Sequence, residues 1–294
     1  IDAIIKITKE MSDMQKMLIS LIENDDDIES FLTFFRNQMK ISKNQKYFLN
    51  DLLFLIKSID IALLNTVKKE IMYQILVKLS NEIQHNFSED DLLSIYQNNE
   101  TILLYLVENR IITINTIRKN MNYYWNKYFF PELLEDNKLL FYQYCRENKT
   151  MNDKNNIIND YLTNIDEFKL YRKENHSEDQ VARIIRKDDL EAFINIVEKM
   201  DIKLNSYKIK QSFFEHQYIF CNVDLINYVV GFGSLKIFKY LLLKKVPINK
   251  FIHKYAIIGG NYEIIHILEE NNIEFNSDSI TTAIQYHQNE ILNY

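Results

Sequence analysis

Chemistry in this chain would have to come from six histidines, two cysteines, one acidic run and one aromatic cluster. The acidic run, Asp25, Asp26, Asp27 and Glu29, has the composition of a calcium site. An EF-hand loop, however, spreads its ligands over about twelve positions around a glycine, and no glycine is present there. Acids placed where one helix stops and the next begins fit the positive end of a helix dipole instead. The histidines are scattered, and His253 and His266 fall in different roles of adjacent segments, which suits core or surface imidazoles better than zinc ligands. Cys145 and Cys221 are too few for a disulfide framework and read as inert thiols of a reducing compartment. Tyr123, Tyr124, Trp125, Tyr128, Phe129 and Phe130 could stack nucleobases, but no basic or glycine-rich framework surrounds them, so they read as packing. The chain carries no GxSxG, no glycine-rich loop ending in Lys-Ser/Thr, no HExxH and no CxxC. The expectation is a protein that is not an enzyme and that uses neither cofactor nor metal.

The elements that would position any site must be helices. Only 4 glycines and 2 prolines serve 294 residues, too few for the turns of barrels, sandwiches or phosphate loops. No apolar run approaches the length of a membrane span, and the start, IDAIIKITKE, lacks the marks of a signal peptide, so a cytoplasmic protein is expected. The chain opens on Ile1, and an upstream segment is expected to have been trimmed. Net charge is −6, and residues 181–294 hold 13 basic and 13 acidic side chains, so the whole surplus lies earlier. That is the wrong sign for gripping a nucleic-acid backbone; the weak basic cluster Lys244, Lys245, Lys250 and Lys254 is the one exception in sign. Richness in Ile, Asn, Lys and Tyr points to an AT-rich genome, so asparagine-rich loops carry little meaning on this reading.

Apolar residues Ile4, Ile7, Met11, Met14, Leu18 and Leu21 recur at steps of three and four and predict an amphipathic helix from Ala3 to Leu21. Further helices are predicted over 46–58, 61–84, 89–98, 100–110, 115–128, 131–147 and 153–162. Ser88 with Asp91, and Ser177 with Gln180, have the spacing of capping boxes, and Pro131 suits a first helical turn.

The C-terminal part repeats itself. GFGSLKIFKYLLLKKVPIN (231–249) and IGGNYEIIHILEENNIEFN (258–276) superpose with Gly233 on Gly260, Ile237 and Phe238 on Ile264 and Ile265, and Asn249 on Asn276, an offset of 27 residues. Ala256 continues onto Ala283 and Glu263 onto Glu290. The same apolar-any-apolar-Asn ending closes segments at 112–115 and 202–205. The physical unit is a helix pair: a short first helix (225–231, 252–258), a turn at Gly233 or Gly260 where a missing Cβ permits left-handed backbone, and a longer second helix. Each pair has too little area to bury its own apolar stripe and must stack on its neighbour. The last copy stops in mid-unit at Tyr294, which would leave an apolar face open, and the array is expected to continue.

LINYVVGFGSLKIFKYLLLKKVPIN resembles an ankyrin repeat, PLHxAAxxGxxxVVxxLLxxGAxxN. Leu225 stands at that pattern's Pro, Asn227 at its His, Val229 and Val230 at its Ala pair, Gly233 at its Gly and Asn249 at its Asn; Lys254 replaces the His in the next copy. More narrowly, residues from about 99 to 294 resemble a large trichomonad-type family of ankyrin-repeat proteins from anaerobic parasitic protists. That family pairs a helical N-terminal region with an ankyrin domain of unknown function. The resemblance rests on ILLYLVENRI, YFFPEL, VARIIRKDDLEAFI and INYVVGFGSLKIFKYLL followed by YAIIGGNYEIIHILEENN.

It implies an all-α chain, with an N-terminal helical region over 1–98, a partly repeat-like helical region over 99–176, and an ankyrin-type α-solenoid over 177–294. A usual ankyrin unit has about 33 residues; the shorter spacing here should reduce the protruding hairpin to a tight turn between Asn249 and Ala256. Contacts would then fall on the first helices, at Asn227, Gly231, Lys254, Ile258, Thr281 and Gln285. Residues 206–224 form the one longer insertion and read as a capping loop over the first copy, with a partner-binding loop as the alternative. The implied role is a non-catalytic scaffold or adaptor for a protein partner. The alternative is a structural component of a cytoskeletal, microtubule-associated assembly, with a filament as partner; neither involves nucleic acid or a membrane span.

Overall fold

The computed structural model describes every residue except 1, 25–26, 43, 63–65, 121–122, 148–156, 176, 211, 216–221 and 294. The described residues form 21 helices and one two-residue strand pair. They fall into two units, Ile1–Lys169 and Leu170–Tyr294. A boundary at 98/99 therefore has no counterpart, because helices on either side of it pack in one unit.

In the first unit, α1 (Asp2–Asn24) lies against α2 (Ile28–Ile41), α3 (Gln45–Ala62) and α4 (Thr66–Lys78), and buries Met14, Leu18, Leu21 and Ile22. Asp27 caps α2, its carboxylate accepting from the Glu29 and Ser30 groups, which is the helix-start role expected of the acidic run; Asp25 and Asp26 lie outside the described residues. Its pKa is held below the usual range, chiefly by the Glu29 N–H. The chain continues through α5 (Ser80–Asn86), α6 (Glu89–Tyr96), α7 (Glu100–Glu108), α8 (Ile114–Lys119), α9 (Tyr123–Tyr128), α10 (Phe130–Asp136), α11 (Lys138–Glu147) and α12 (Ile157–Tyr161). Ser88 and Asp91 do form the capping box of α6, and Pro131 sits in the first turn of α10.

Three predicted helices are divided, with 63–65 of the first and 121–122 of the second outside the described residues. The 61–84 segment breaks at Leu79, the 115–128 segment at Asn120, and the 131–147 segment at Asn137. At Asn137 the cause is plain: its side chain accepts from the Leu140 N–H at 3.0 Å, so it starts a new helix rather than continuing the old one. Trp125, Tyr128, Phe129 and Phe130 are buried among themselves and Phe168, with Phe130 edge-on to Phe168 at 4.6 Å. Buried rings have no face to offer a base. Tyr123 and Tyr124 side chains lie outside the description.

The division between units falls within α13 (Ile165–Glu174). The second unit then runs α14 (Gln180–Arg186), α15 (Leu190–Lys199), the antiparallel pair β1 (Lys208–Ile209) and β2 (Val223–Asp224), α16 (Leu225–Gly231), α17 (Leu235–Leu243), α18 (Ile252–Gly259), α19 (Tyr262–Glu270), α20 (Ser277–Gln285) and α21 (Asn289–Asn293). First helices pack on first helices, in the order α14, α16, α18, α20, and second helices likewise in the order α15, α17, α19. The Ser177–Gln180 box is not formed. Asp179 caps α14 through the Val181 N–H at 2.8 Å, while Ser177 accepts from Asp179 itself.

Each pair is punctuated twice by left-handed backbone. After the first helix stand Asp188, Gly233, Gly260 and His287, with φ of 48°, 65°, 64° and 52°; after the second stand Asp201, Lys245 and Asn272, with φ of 49°, 57° and 60°. In most of these turns the next N–H reaches back five residues, as Ser234 to the Val229 carbonyl and Val246 to that of Leu241, both at 3.0 Å. Sequence inspection finds only the glycines of this series. Gly233 and Gly260 are free to adopt it; the other five residues are held there by the closing bond. Between copies the connector is tight, as expected: Phe251 N–H donates to the Asn249 side chain at 3.0 Å, and no strand forms between Val246 and Phe251.

Candidate binding surface

Polar side chains tie successive copies together at equivalent positions. Ser234, Asn261 and Gln288, each one residue past the left-handed turn, donate to backbone carbonyls of the preceding copy: Ile185 at 2.6 Å, Gly233 at 3.2 Å and Ile258 at 3.3 Å. Glu263 pairs with Lys239, and its equivalent Glu290 accepts from Tyr262. Such bonds fix the register of one pair on the next.

Of the six expected contact residues, three have no surface to offer. Asn227 and Gly231 are buried because α16 lies between α14 and α18 and beside β1 and β2, and Ile258 because α18 lies between α16 and α20. Asn227 instead accepts from the Asn249 amide at 3.1 Å, an internal tie between a first helix and the connector that follows. Lys254 is half-buried and paired with Asp278 at 3.1 Å. Thr281 and Gln285 are exposed on α20.

The same helix exposes residues that sequence inspection passed over. Ile280 and Ile284 are 55% and 59% exposed, whereas their equivalents Ile226 and Val230 in α16, and His253 and Ile257 in α18, are at most 4% exposed. Leu292 in α21 is 42% exposed, while its equivalents Phe238 and Ile265 are buried. The face that two earlier copies bury is therefore open on α20 and α21, with Thr281 and Gln285 beside it. The 27-residue offset identifies which positions correspond; that they are open here is decided by the packing.

His253, whose Nδ1 lies 2.9 Å from the Ser279 Oγ in the buried seam between α18 and α20, is held below its ordinary pKa. Burial is the main cause; Lys254 adds to it and Asp278 opposes it. His287 is lowered by burial as well. A depressed histidine binds its proton more readily in the unfolded chain, so stability is full above the ordinary value of 6.5 and is lost as pH falls below it. Amide protection in α18 and α20 should accordingly weaken as pH falls below about 6.5. His253→Asn should flatten that decline, leaving the His287 share; an unchanged slope would remove His253 as its source.

The described residues of the 206–224 segment, 206–210, 212–215 and 222–224, return to the helices beside the first copy. β1 and β2 place it beside α16, where the Leu225 N–H donates to the Tyr207 carbonyl at 3.1 Å. Tyr207 donates to Asp179 at 3.3 Å, and its own hydroxyl is pushed up to about 12, first by burial and then by that carboxylate. Further along, Ser212 donates to Glu178, Phe214 is fully buried with its ring 5.6 Å from Tyr171, and Glu215 enters a triangle with Arg186 and Tyr228. Arg186 Nε donates to the Tyr228 hydroxyl at 3.1 Å, Nη1 to the Asn175 carbonyl at 2.9 Å, and Nη2 pairs with Glu215; the guanidinium also lies 4.4 Å from the Phe232 ring centroid. Burial pushes the Tyr228 hydroxyl far up, so it stays a donor to Glu215. Burial works against the Arg186 charge, but Tyr228 and Glu215 outweigh it.

The first unit holds a second buried cluster. Asp60 accepts from Tyr73 at 2.6 Å and Asn99 at 2.7 Å, with Lys69 3.4 Å away, joining α3, α4 and the start of α7. All four are buried, so the cluster meets no substrate and acts as an internal tie. A hollow of about 190 Å³ between α10 and α11 is lined by Leu133, Leu140, Phe141, Tyr144 and neighbours. Its cation, Arg118, is already engaged by Asp136 and Asn115. Cys145 is buried, and Cys221 lies outside the described residues. Among the described residues, no group of three or more His, Cys, Asp or Glu is placed to hold a metal, and no helix is long and apolar enough to cross a membrane. Compared with protein-family models, with curated proteins and with solved structures, the chain gives no match in any of the three.

Proposed function

We propose that the second unit is an ankyrin-type stack of shortened helix pairs, and that the chain serves as a non-catalytic module for binding another protein. The observation that carries this reading is the stack itself: first helix on first helix, α14, α16, α18 and α20, and second on second, α15, α17 and α19, with Thr281 and Gln285 exposed on α20. Helices held side by side in this way present a preformed surface for contact. Its register is set before any partner arrives, by the Ser234, Asn261 and Gln288 bonds, so little ordering cost remains at binding.

The test is a pull-down with the full chain beside a Thr281→Glu, Gln285→Ala variant. Specific proteins should be retained by the native chain and lost from the variant, which alters only exposed side chains and should melt as the native chain does. Equal retention by both would sink the reading. Co-sedimentation separates a filament component from an adaptor, since an adaptor stays in the supernatant with microtubules or actin.

A further inference from the structure

The insertion at 206–224 is not required by the helix pairs themselves. The next connector passes from α17 to α18 in a tight turn, without any such excursion. The insertion nonetheless delivers a compact anchor, Ser212 to Glu215, whose own backbone is held by the Phe214 N–H donating to Ser212 Oγ at 3.1 Å. What receives it is equally particular. Arg186 occupies the position of Gly231 and Ile258 in later copies, so its charge is no part of the repeating pattern. Its side chain is 11% exposed and that of Glu215 is 5% exposed. A buried guanidinium needs an anion, and the Glu215 carboxylate supplies it, flanked by the Tyr228 hydroxyl. Beside this, Phe214 packs near Tyr171, and Arg183 lies over the other aromatic partner, its guanidinium 5.4 Å from the Tyr171 ring centroid. Arginine forks hold the acidic residue of short motifs in folded domains, and here the Phe214 ring against Tyr171 stands beside such a fork.

We propose that Tyr171, Arg186 and Tyr228 form a receptor for a short aromatic-acidic peptide motif, and that Phe214-Glu215 occupies it as an intramolecular ligand. The natural partner is then a protein that carries a Phe-Glu-like motif and competes for the site. This rests on the interaction reading only in taking the ligand to be polypeptide, and it concerns a different surface from α20 and α21.

The probe is an acetylated, amidated peptide of sequence Gly-Ser-Phe-Phe-Glu-Gly, added to the full chain and to a Phe214→Ala, Glu215→Gln variant. The native chain should melt unchanged by the peptide, because its site is filled. The variant should melt lower, and the peptide should restore part of the loss, a rise of about 5 °C at tenfold excess over its dissociation constant. Peptide with Gln in place of Glu should restore nothing, and adding Arg186→Gln to the variant should abolish the rescue. Should the double variant fail to fold, Glu215→Gln alone takes its place in the same titration. No rescue in a folded variant overturns the proposal and leaves Phe214-Glu215 as a structural cap. Partners retained in the pull-down despite that result would show that the interaction reading survives without it.

Discussion

Gly259→Ala should unfold the second unit's core more severely than Gly260→Ala. A Cβ at Gly259 would lie 2.2 Å from the Val230 carbonyl oxygen, 3.0 Å from the Gly233 nitrogen and 3.3 Å from the Gly231 carbonyl carbon. All three are backbone, so no side chain can swing aside; α16 and α18 must separate. Overpacking of this kind costs about 3 kcal/mol or more when rigid elements have to move. At Gly260 the crowding is milder, since a Cβ meets only the Gln288 side chain at 3.2 Å, and the expense is that of a left-handed φ, about 1–2 kcal/mol. Urea midpoints for the two variants, with amide exchange to place the loss in α16 and α18, measure the difference. Equal costs would mean that α16 and α18 can move apart with little loss.

Asp60→Ala should be the most damaging single change in the first unit. It removes the common partner of Lys69, Tyr73 and Asn99, leaving an ammonium with 6% side-chain exposure beside unpaired O–H and N–H donors. Stranding one half of a buried ion pair typically costs about 3–5 kcal/mol. Asp60→Asn keeps an acceptor and should lose less. Pairing Asp60→Leu with Lys69→Met should recover much of the loss, because no unpaired charge then remains. The readout is the urea midpoint of each variant. A cost below about 1 kcal/mol for Asp60→Ala would show the cluster to be wet or loosely held.

Asparagine shows why part of the fold escaped the sequence. Compositional bias made these residues look uninformative, yet Asn99, Asn137, Asn261 and Asn276 all accept helix-start N–H groups, and Asn249 shapes a connector. Asn137 is the very reason one predicted helix became two. A bias in codon usage says how often a residue appears; it does not cancel what an amide side chain does to the backbone next to it. The Ser177 misreading has the same origin in reverse: the spacing suited a capping box, but Asp179 stood two residues nearer the helix and captured its N–H. Position against the backbone, not spacing alone, decided which oxygen became the cap.

What the sequence determined by itself was local and periodic. Helical class, the paired pattern at 27-residue offset, the turn glycines Gly233 and Gly260, and the tight connector before α18 all follow from side-chain period and backbone freedom within a few residues. Tertiary structure alone decided exposure. Asn227, Gly231 and Ile258 hold positions that a single helix pair would display, and stacking buries them; Ile280 and Ile284 have the character of core and stand open. It alone also brought Glu215 to Arg186 across 29 residues, and Asp60 to Asn99 across 39. The physical reason is that burial and charge pairing depend on which surfaces meet, and meeting is set by packing between elements, which periodicity within one element does not encode.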